Sequence, residues 1–304
     1  MKNIYKYLSL VLFFTGFVPT NSKAEDYSKM SAAELNAAFV SAVKKHNPEK
    51  MEELIAVGAD VTTPISYTWT AGDCDWSIET SALTYAVRNN CSQMIKVLLK
   101  VKSKLNESLN EALAEAITEG YCEVVKELIN GGAAIENLNK DKDTPLILAV
   151  KHARPMGEFS PQAQRRAASR WKQRREIIQL LLKAGADVNH VNAYGRTALM
   201  EAVIQHDLNT VLDLLKIPAM TAGSFFGFGT KAINYADQDG NTALIHAVKN
   251  IRTMYIAGDM QEYHTCKNSQ SIAETLFKTP GVDLHYANNK GETAITLFQK
   301  LNKQ

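Results

Sequence analysis

Apolar residues recur along this chain in a fixed two-block order. The first block has the form small–apolar–x–x–Ala. It appears as Ala38-Phe39…Ala42, Ala82-Leu83…Ala86, Ala112-Leu113…Ala116, Pro145-Leu146…Ala149, Ala198-Leu199…Ala202 and Ala243-Leu244…Ala247, and a degenerate Ala294-Ile295…Phe298 closes the series. The second block follows as Met51…Leu54-Ile55, Ile95…Leu98-Leu99, Val125…Leu128-Ile129, Ile178…Leu181-Leu182, Val211…Leu214-Leu215 and Ile272…Leu276-Phe277. Apolar residues at i, i+3 and i+4 place each second block on one helical face. Every unit therefore predicts two short helices, neither long enough to persist alone in water. Each must bury its stripe against its neighbours.

The polar residues between blocks predict how the units are joined. Gly58, Gly132 and Gly185 stand where a helix C-terminus accepts a left-handed residue. Asn192–Gly195, Asp237–Gly240 and Asn288–Gly291 place a turn-forming Asn or Asp three residues before a glycine. Thr144, Thr197, Thr242 and Thr293 then stand at the next helix start, where a hydroxyl cap is worth ~1 kcal/mol. The spacing of the first blocks is 44, 30, 33, 53, 45 and 51 residues, so the joints repeat while the lengths between them vary.

On these residues the chain resembles the ankyrin-repeat family, whose unit of about 33 residues is a β-turn plus two helices with a T-P-L-H-x-A signature. Thr144-Pro145-Leu146 alone keeps the proline, and Thr84, Ala114, Ile147, Met200, Ile245 and Thr296 stand where the signature has histidine. The resemblance implies an all-α ankyrin-repeat solenoid with long insertions, of about six helix–turn–helix units and a C-terminal half-unit. The approximate units are 34–61, 80–108, 109–137, 143–191, 196–235, 241–287 and the partial cap 292–304. Loss of the histidine removes its hydrogen bond to threonine and implies a divergent, less stable array.

The first 24 residues read as a signal peptide rather than as part of the fold. Lys2 and Lys6 precede the apolar run Leu8–Val18, and Ser22-Lys23-Ala24 offers small residues for cleavage after Ala24. That run is shorter than the roughly 20 residues of a membrane span, so an uncleaved anchor is the lesser alternative. The expected mature protein is a single domain over 25–304, exported to the periplasm or secreted. Losing Lys2, Lys6 and Lys23 takes the 34 basic residues to 31 against 32 acidic ones, which removes the case for a general nucleic-acid binder.

The insertions are of two kinds. Thr62–Thr80 and Pro218–Lys231 enlarge two of the turns, called fingers in this fold. The first carries Trp69 and Trp76, the second Phe225, Phe226 and Phe228. Both sets fit either binding hot spots or small cores folded under their own loops. The other extra lengths, near His152–Arg174 and Asn250–Ser269, fall between the two helices of a unit. Ser160-Pro161 predicts a helix start, with Ala163, Ala167, Trp171, Ile178 and Leu182 on one face. Arg165, Arg166, Arg170, Lys172, Arg174 and Arg175 cover much of the remainder. That is either a cationic site or a solvated helix face.

Four cysteines in an exported chain permit two disulfides. Cys91 and Cys122 fall at equivalent turns of adjacent units, about 10 Å apart in an ankyrin-like stack against the ~4.4–6.8 Å that a bridge spans. Their one-residue offset in register favours a Cys91–Cys122 bridge, with Cys74–Cys91 and free buried thiols as alternatives. No metal spacing, nucleophile motif or complete phosphate loop occurs, and Gly227–Lys231 lacks the required spacing. No catalytic residue, cofactor or metal is expected.

The leading expectation is a monomeric, non-enzymatic protein-binding module. The resemblance implies a curved surface of fingers and first helices, here Tyr194, Arg196, Met200, Tyr235 and Asn241, with Trp69 and Trp76 at one end. The partner expected is an envelope enzyme, a toxin or a host protein. Two other readings stand beside it. One is a polyanion or anionic-membrane binder using the basic helix near 162–175. The other is an enzyme built on Asp73, Asp75 and Glu79, or on Glu262, His264 and Cys266.

Overall fold

Each pair of apolar blocks folds as an antiparallel helix pair. The computed structural model describes residues 27–71, 74–152, 161–217, 232–257 and 263–301. The side chains of 28, 68–71, 74–76, 103, 106, 161–170, 252–257 and 263–266 lie outside that description, as do the leader and Phe225, Phe226 and Phe228. The pairs are α1 (Ala32–Lys44) with α2 (Pro48–Ala56), α3 (Ala82–Arg88) with α4 (Ser92–Leu99) and α5 (Asn106–Glu119) with α6 (Cys122–Gly131). Then come α7 (Pro145–Lys151) with α8 (Pro161–Lys183), α9 (Ala198–Ile204) with α10 (Leu208–Leu215) and α11 (Ala243–Ala257) with α12 (Tyr263–Lys278). The closing copy forms the single helix α13 (Ala294–Leu301).

The first helices stack in chain order, α1 through α13, each on the first helix of the next unit. The second helices α2, α4, α6 and α8 form a parallel row, and α10 packs on α12. An ion pair, Arg175 Nη2 to Asp213 Oδ2 at 3.0 Å, links α8 to α10. The motif alanines Ala42, Ala86, Ala116, Ala149, Ala202 and Ala247 are buried together with Phe39, Leu83, Leu113, Leu146, Leu199 and Leu244 in one continuous core. A buried leucine or isoleucine contributes about 1.5–3 kcal/mol, so the stability resides between units rather than within them.

Local chemistry fixes the ends of the helices. The hydroxyls of Ser81, Thr144, Thr197, Thr242 and Thr293 accept from the amides of Thr84, Ile147, Met200, Ile245 and Thr296. The two helices of a unit are joined by a residue in the left-handed region: His46 (φ 51°), Asn90 (φ 49°), Gly120 (φ 81°) and His206 (φ 58°).

Three sequence expectations are corrected here. The first insertion is a hairpin rather than an enlarged loop: β1 (Ile65–Ala71) pairs antiparallel with β2 (Cys74–Thr80), and Trp69 lies opposite Trp76. Trp171 does not share the buried face of α8, being 52% exposed, and that face is held instead by Ile177, Ile178 and Leu181. Cys91 and Cys122 are both free thiols. Their side chains have other partners, His46 for the first and Glu176 for the second, so the register offset does not turn them toward each other.

Candidate interaction surface

Four fingers share a six-residue frame that begins at Asn139, Asn192, Asp237 and Asn288. The first residue organises its own turn, because its Oδ1 accepts from the amides of the third and fifth residues. The distances are 2.9 and 2.9 Å at Asn139, 2.9 and 3.0 Å at Asn192, 3.0 and 2.8 Å at Asp237, and 3.0 and 2.9 Å at Asn288. The fourth residue is left-handed, at Lys142 (φ 57°), Gly195 (φ 72°), Gly240 (φ 76°) and Gly291 (φ 72°). The sixth is the capping threonine. Turn and cap thus occupy six consecutive residues and leave the finger little freedom.

Adjacent fingers are then joined twice. Backbone amides of Ala193, Gln238 and Asn289 donate to the carbonyls of Asp141, Tyr194 and Asp239 at 2.8, 3.2 and 3.1 Å. Beneath this ladder, the fifth side chain of one finger meets the first of the next. Asn192 Nδ2 donates to Asp143 Oδ1 at 2.9 Å, Arg196 Nε lies 3.8 Å from Asp237 Oδ2, and Asn288 Nδ2 donates to Asn241 Oδ1 at 3.0 Å. The first and third junctions match donor to acceptor, and the middle one is an ion pair in which Arg196 Nε makes no hydrogen bond. The seam is buried, since Asp143, Asn192, Asp237, Asn241 and Asn288 are all 7% exposed or less.

The first helices add charge to this seam. Lys151 Nζ bonds Asp143 Oδ2 at 2.9 Å, Arg196 Nη1 approaches Glu201 Oε1 at 3.7 Å, and His246 Nε2 donates to Asp237 Oδ2 at 2.8 Å. Burial pushes the Glu201 carboxyl upward despite Arg196 and Lys151. Burial also holds the His246 imidazole below the ordinary histidine value, outweighing its bond to Asp237, and Arg196 and Lys249 act in the same direction.

Tyr194 stands at the tip of this construction. It is 47% exposed, and its ring lies 5.8 Å from Lys151 Nζ and 5.7 Å from the Arg196 guanidinium carbon. Two cations close to the ring orient it and leave it nearly half exposed. Tyr194 is exposed, and Arg196 beside it is partly buried. Tyr235 is half-buried against the core. Met200 and Asn241 are not presented at all, being 1% and 4% exposed. Met200 takes the signature-histidine place, which points into the stack, and Asn241 belongs to the seam.

The hairpin occupies the other end of the surface. Arg88 on α3 bonds Glu115 Oε1 on α5 at 2.8 Å and also donates to the Tyr67 hydroxyl on β1. Tyr67 meets Tyr85 edge-on at 5.9 Å. The hairpin is thereby anchored to the first helices of the second and third units. The Trp69 and Trp76 side chains lie outside the described residues. On α8, Arg174 Nη2 donates to the Thr118 carbonyl at 3.0 Å and Arg175 is paired with Asp213, so two of the basic residues join neighbouring units. The side chains of Arg165, Arg166 and Arg170 lie outside the described residues.

The residues considered for catalysis are not brought together within what is described. Glu79 is exposed on β2, and the side chains of Asp73, Asp75, Glu262, His264 and Cys266 lie outside the description. A groove of about 570 Å³ runs past Leu182, Ala186, Asp187, Val188 and Ile217, and its one acid, Asp187, accepts from the Asn189 amide at 2.9 Å. Among the described residues no three His, Cys, Asp or Glu side chains converge as a metal site, and no helix is long and apolar enough to cross a membrane.

Stacked helix pairs joined by hydrogen-bonded β-turn fingers define a helical repeat protein of the solenoid class. The family model for ankyrin repeats matches the chain three times, over residues 39–139, 83–157 and 165–255, and together these matches span more than half of it. The chain belongs to the ankyrin-repeat family, whose domains are in general protein–protein interaction modules and typically non-enzymatic. A comparison with curated proteins finds no match.

Proposed function

We propose that this protein is a non-enzymatic binding module that captures a protein partner on its finger and first-helix surface, outside the cytoplasm. The observation that carries this reading is Tyr194. It is an aromatic side chain left 47% exposed at the tip of a finger held by the hydrogen bonds of Asn192 within the turn and of Ala193 and Gln238 to its neighbours. A rigid amphipathic aromatic loses little freedom on binding and is the residue type favoured at interface hot spots. Lys151 and Arg196, partly exposed beside the ring, supply charge at the rim and favour a partner with acidic groups around an apolar or aromatic centre. The export reading rests on the leader alone, with its basic start, short apolar run and small residues at Ser22 and Ala24.

The test is affinity capture from the native organism's envelope fraction and medium, with the mature chain and a Tyr194→Ala variant as parallel baits. The expected result is one stoichiometric partner, retained by the first bait and depleted at least tenfold by the second, as losing about 1.4 kcal/mol or more would require. Equal recovery on both baits would remove the surface from the reading. Recovery of no stoichiometric partner would remove the reading itself.

A further inference from the structure

The turn between the two helices of a unit carries a second feature that protein capture does not use. In the first unit Asn47 caps α2, its Oδ1 accepting from the Lys50 amide at 2.9 Å. In the fifth unit Asp207 caps α10, its Oδ1 accepting from the Thr210 amide at 3.1 Å. The corresponding cap of α4 is Cys91, with the same backbone conformation as Asp207, φ −92° and ψ 81° against φ −91° and ψ 85°. This place in the fold therefore already holds an anionic side chain over a helix N-terminus in one unit. Cys91 makes no capping bond to its helix. Its Sγ lies instead 3.2 Å from Nδ1 of His46, which reaches across from the preceding unit. The His46 ring is set by its left-handed backbone and by Tyr85, 5.9 Å away between ring centres. Cys91 is half-buried and His46 is exposed, so both can be approached from solvent.

Cys122 provides an internal contrast. It stands one residue further on at the equivalent turn, and its neighbour is an acid. Burial, together with Glu176, pushes its thiol up to about 11. Both thiols stand at the start of a helix, so what separates them is the neighbour: a proton acceptor for Cys91 and a carboxylate for Cys122.

We propose that Cys91 and His46 form a thiol–disulfide exchange site through which this protein is modified by small disulfides. The Cys91 proton passes to His46 Nδ1, and Sγ attacks one sulfur of the disulfide RS–SR. A Cys91–S–S–R bond forms as the RS–SR bond breaks, and the departing RS⁻ takes the proton from His46. No electron is left over, and a free thiol reverses the step. His46 is the positioning base, and Cys91 is the nucleophile.

The test uses the full chain incubated with oxidised glutathione and quenched over time, with each cysteine followed by peptide mass mapping. Cys91 is expected to be modified at least ten times faster than Cys122, because a proton acceptor lies 3.2 Å from its sulfur whereas Cys122 has the Glu176 carboxylate as neighbour. His46→Asn, which suits a left-handed turn as Asn90 does in the next unit, is expected to slow Cys91 several-fold and leave Cys122 unchanged. Cys91→Ser restores an oxygen cap for α4 and is expected to abolish that modification while thermal unfolding shows the fold intact. The proposal is overturned if Cys122 reacts as fast as Cys91, if His46→Asn leaves the Cys91 rate unchanged, or if the product is a Cys91–Cys122 cross-link.

Discussion

Replacing Asn192 with alanine removes the side chain that builds one finger and seals it to the one before. Two backbone amides, those of Tyr194 and Arg196, lose their acceptor, and the buried Asp143 carboxylate loses the donor on its Oδ1. Each neutral bond contributes about 1 kcal/mol and the charge-assisted one about 1.5–3 kcal/mol. Asp143 keeps Lys151 and Asn139 on its other oxygen, and water reaches the exposed tip, so the expected net loss is about 3 kcal/mol. Because stability in stacked repeats lies at the interfaces, the loss should uncouple the units before this finger from those after it. Urea unfolding should then broaden or split, and hydrogen exchange at the Tyr194 and Arg196 amides should accelerate. Asn192→Asp keeps the acceptor but sets a carboxylate against Asp143, a repulsion of about 4 kcal/mol at 4 Å for a near-surface dielectric. It should be worse than alanine at neutral pH and recover as carboxylates protonate. Adding Asp143→Asn should restore a donor–acceptor pair and give back more stability than additivity allows. A loss under about 1 kcal/mol for Asn192→Ala, with unchanged exchange at both amides, would refute the seam as a coupling device.

Lys142 occupies, at φ 57°, the finger position that is glycine in three other fingers, so Lys142→Gly should stabilise by about 1 kcal/mol in urea unfolding. Gly240→Ala should cost clearly more than Gly291→Ala, because its Cβ would stand 2.8 Å from the Asn289 backbone nitrogen while nothing lies within 4 Å at Gly291. The two share the left-handed penalty of about 1–2 kcal/mol, so the difference in unfolding midpoints isolates the clash. His246 is held below its unfolded value by burial, so the unfolded chain binds more protons. The stability it contributes is present above about pH 6.5 and is lost as pH falls toward its folded value. His246→Gln should accordingly flatten the dependence of melting temperature on pH between about 7 and 5.

How far the sequence reaches depends on the distance over which each determinant acts. The two apolar blocks, the capping threonines and the left-handed glycines act within one turn of helix, and all are readable as spacing. The finger frame was readable as a turn for the same reason, since Asn192 and Asp237 bond amides only two and four residues on. Their second role joins Asp143 to Asn192, 49 residues away, and Asn241 to Asn288, 47 residues away, across units of unequal length. Only the stack brings those partners into register, which is why Asn241 reads as a surface residue in the sequence and is buried in the fold. Met200 misleads by rotation: one place along a helix turns a side chain by about 100°, from the open face into the stack. The hairpin was legible and was obscured by the repeat frame. Ile65, Tyr67 and Trp69 alternate with polar residues, as do Trp76 and Ile78, around a Gly72-Asp73 pair of the two-residue hairpin type. Cys91 shows what the stack adds to a residue whose own neighbourhood is plain. Aligning the units sets it beside Asp207, and folding sets it beside His46. A half-buried cysteine at the start of α4 thereby gains a proton acceptor that its flanking sequence, Asn90 and Ser92, does not supply.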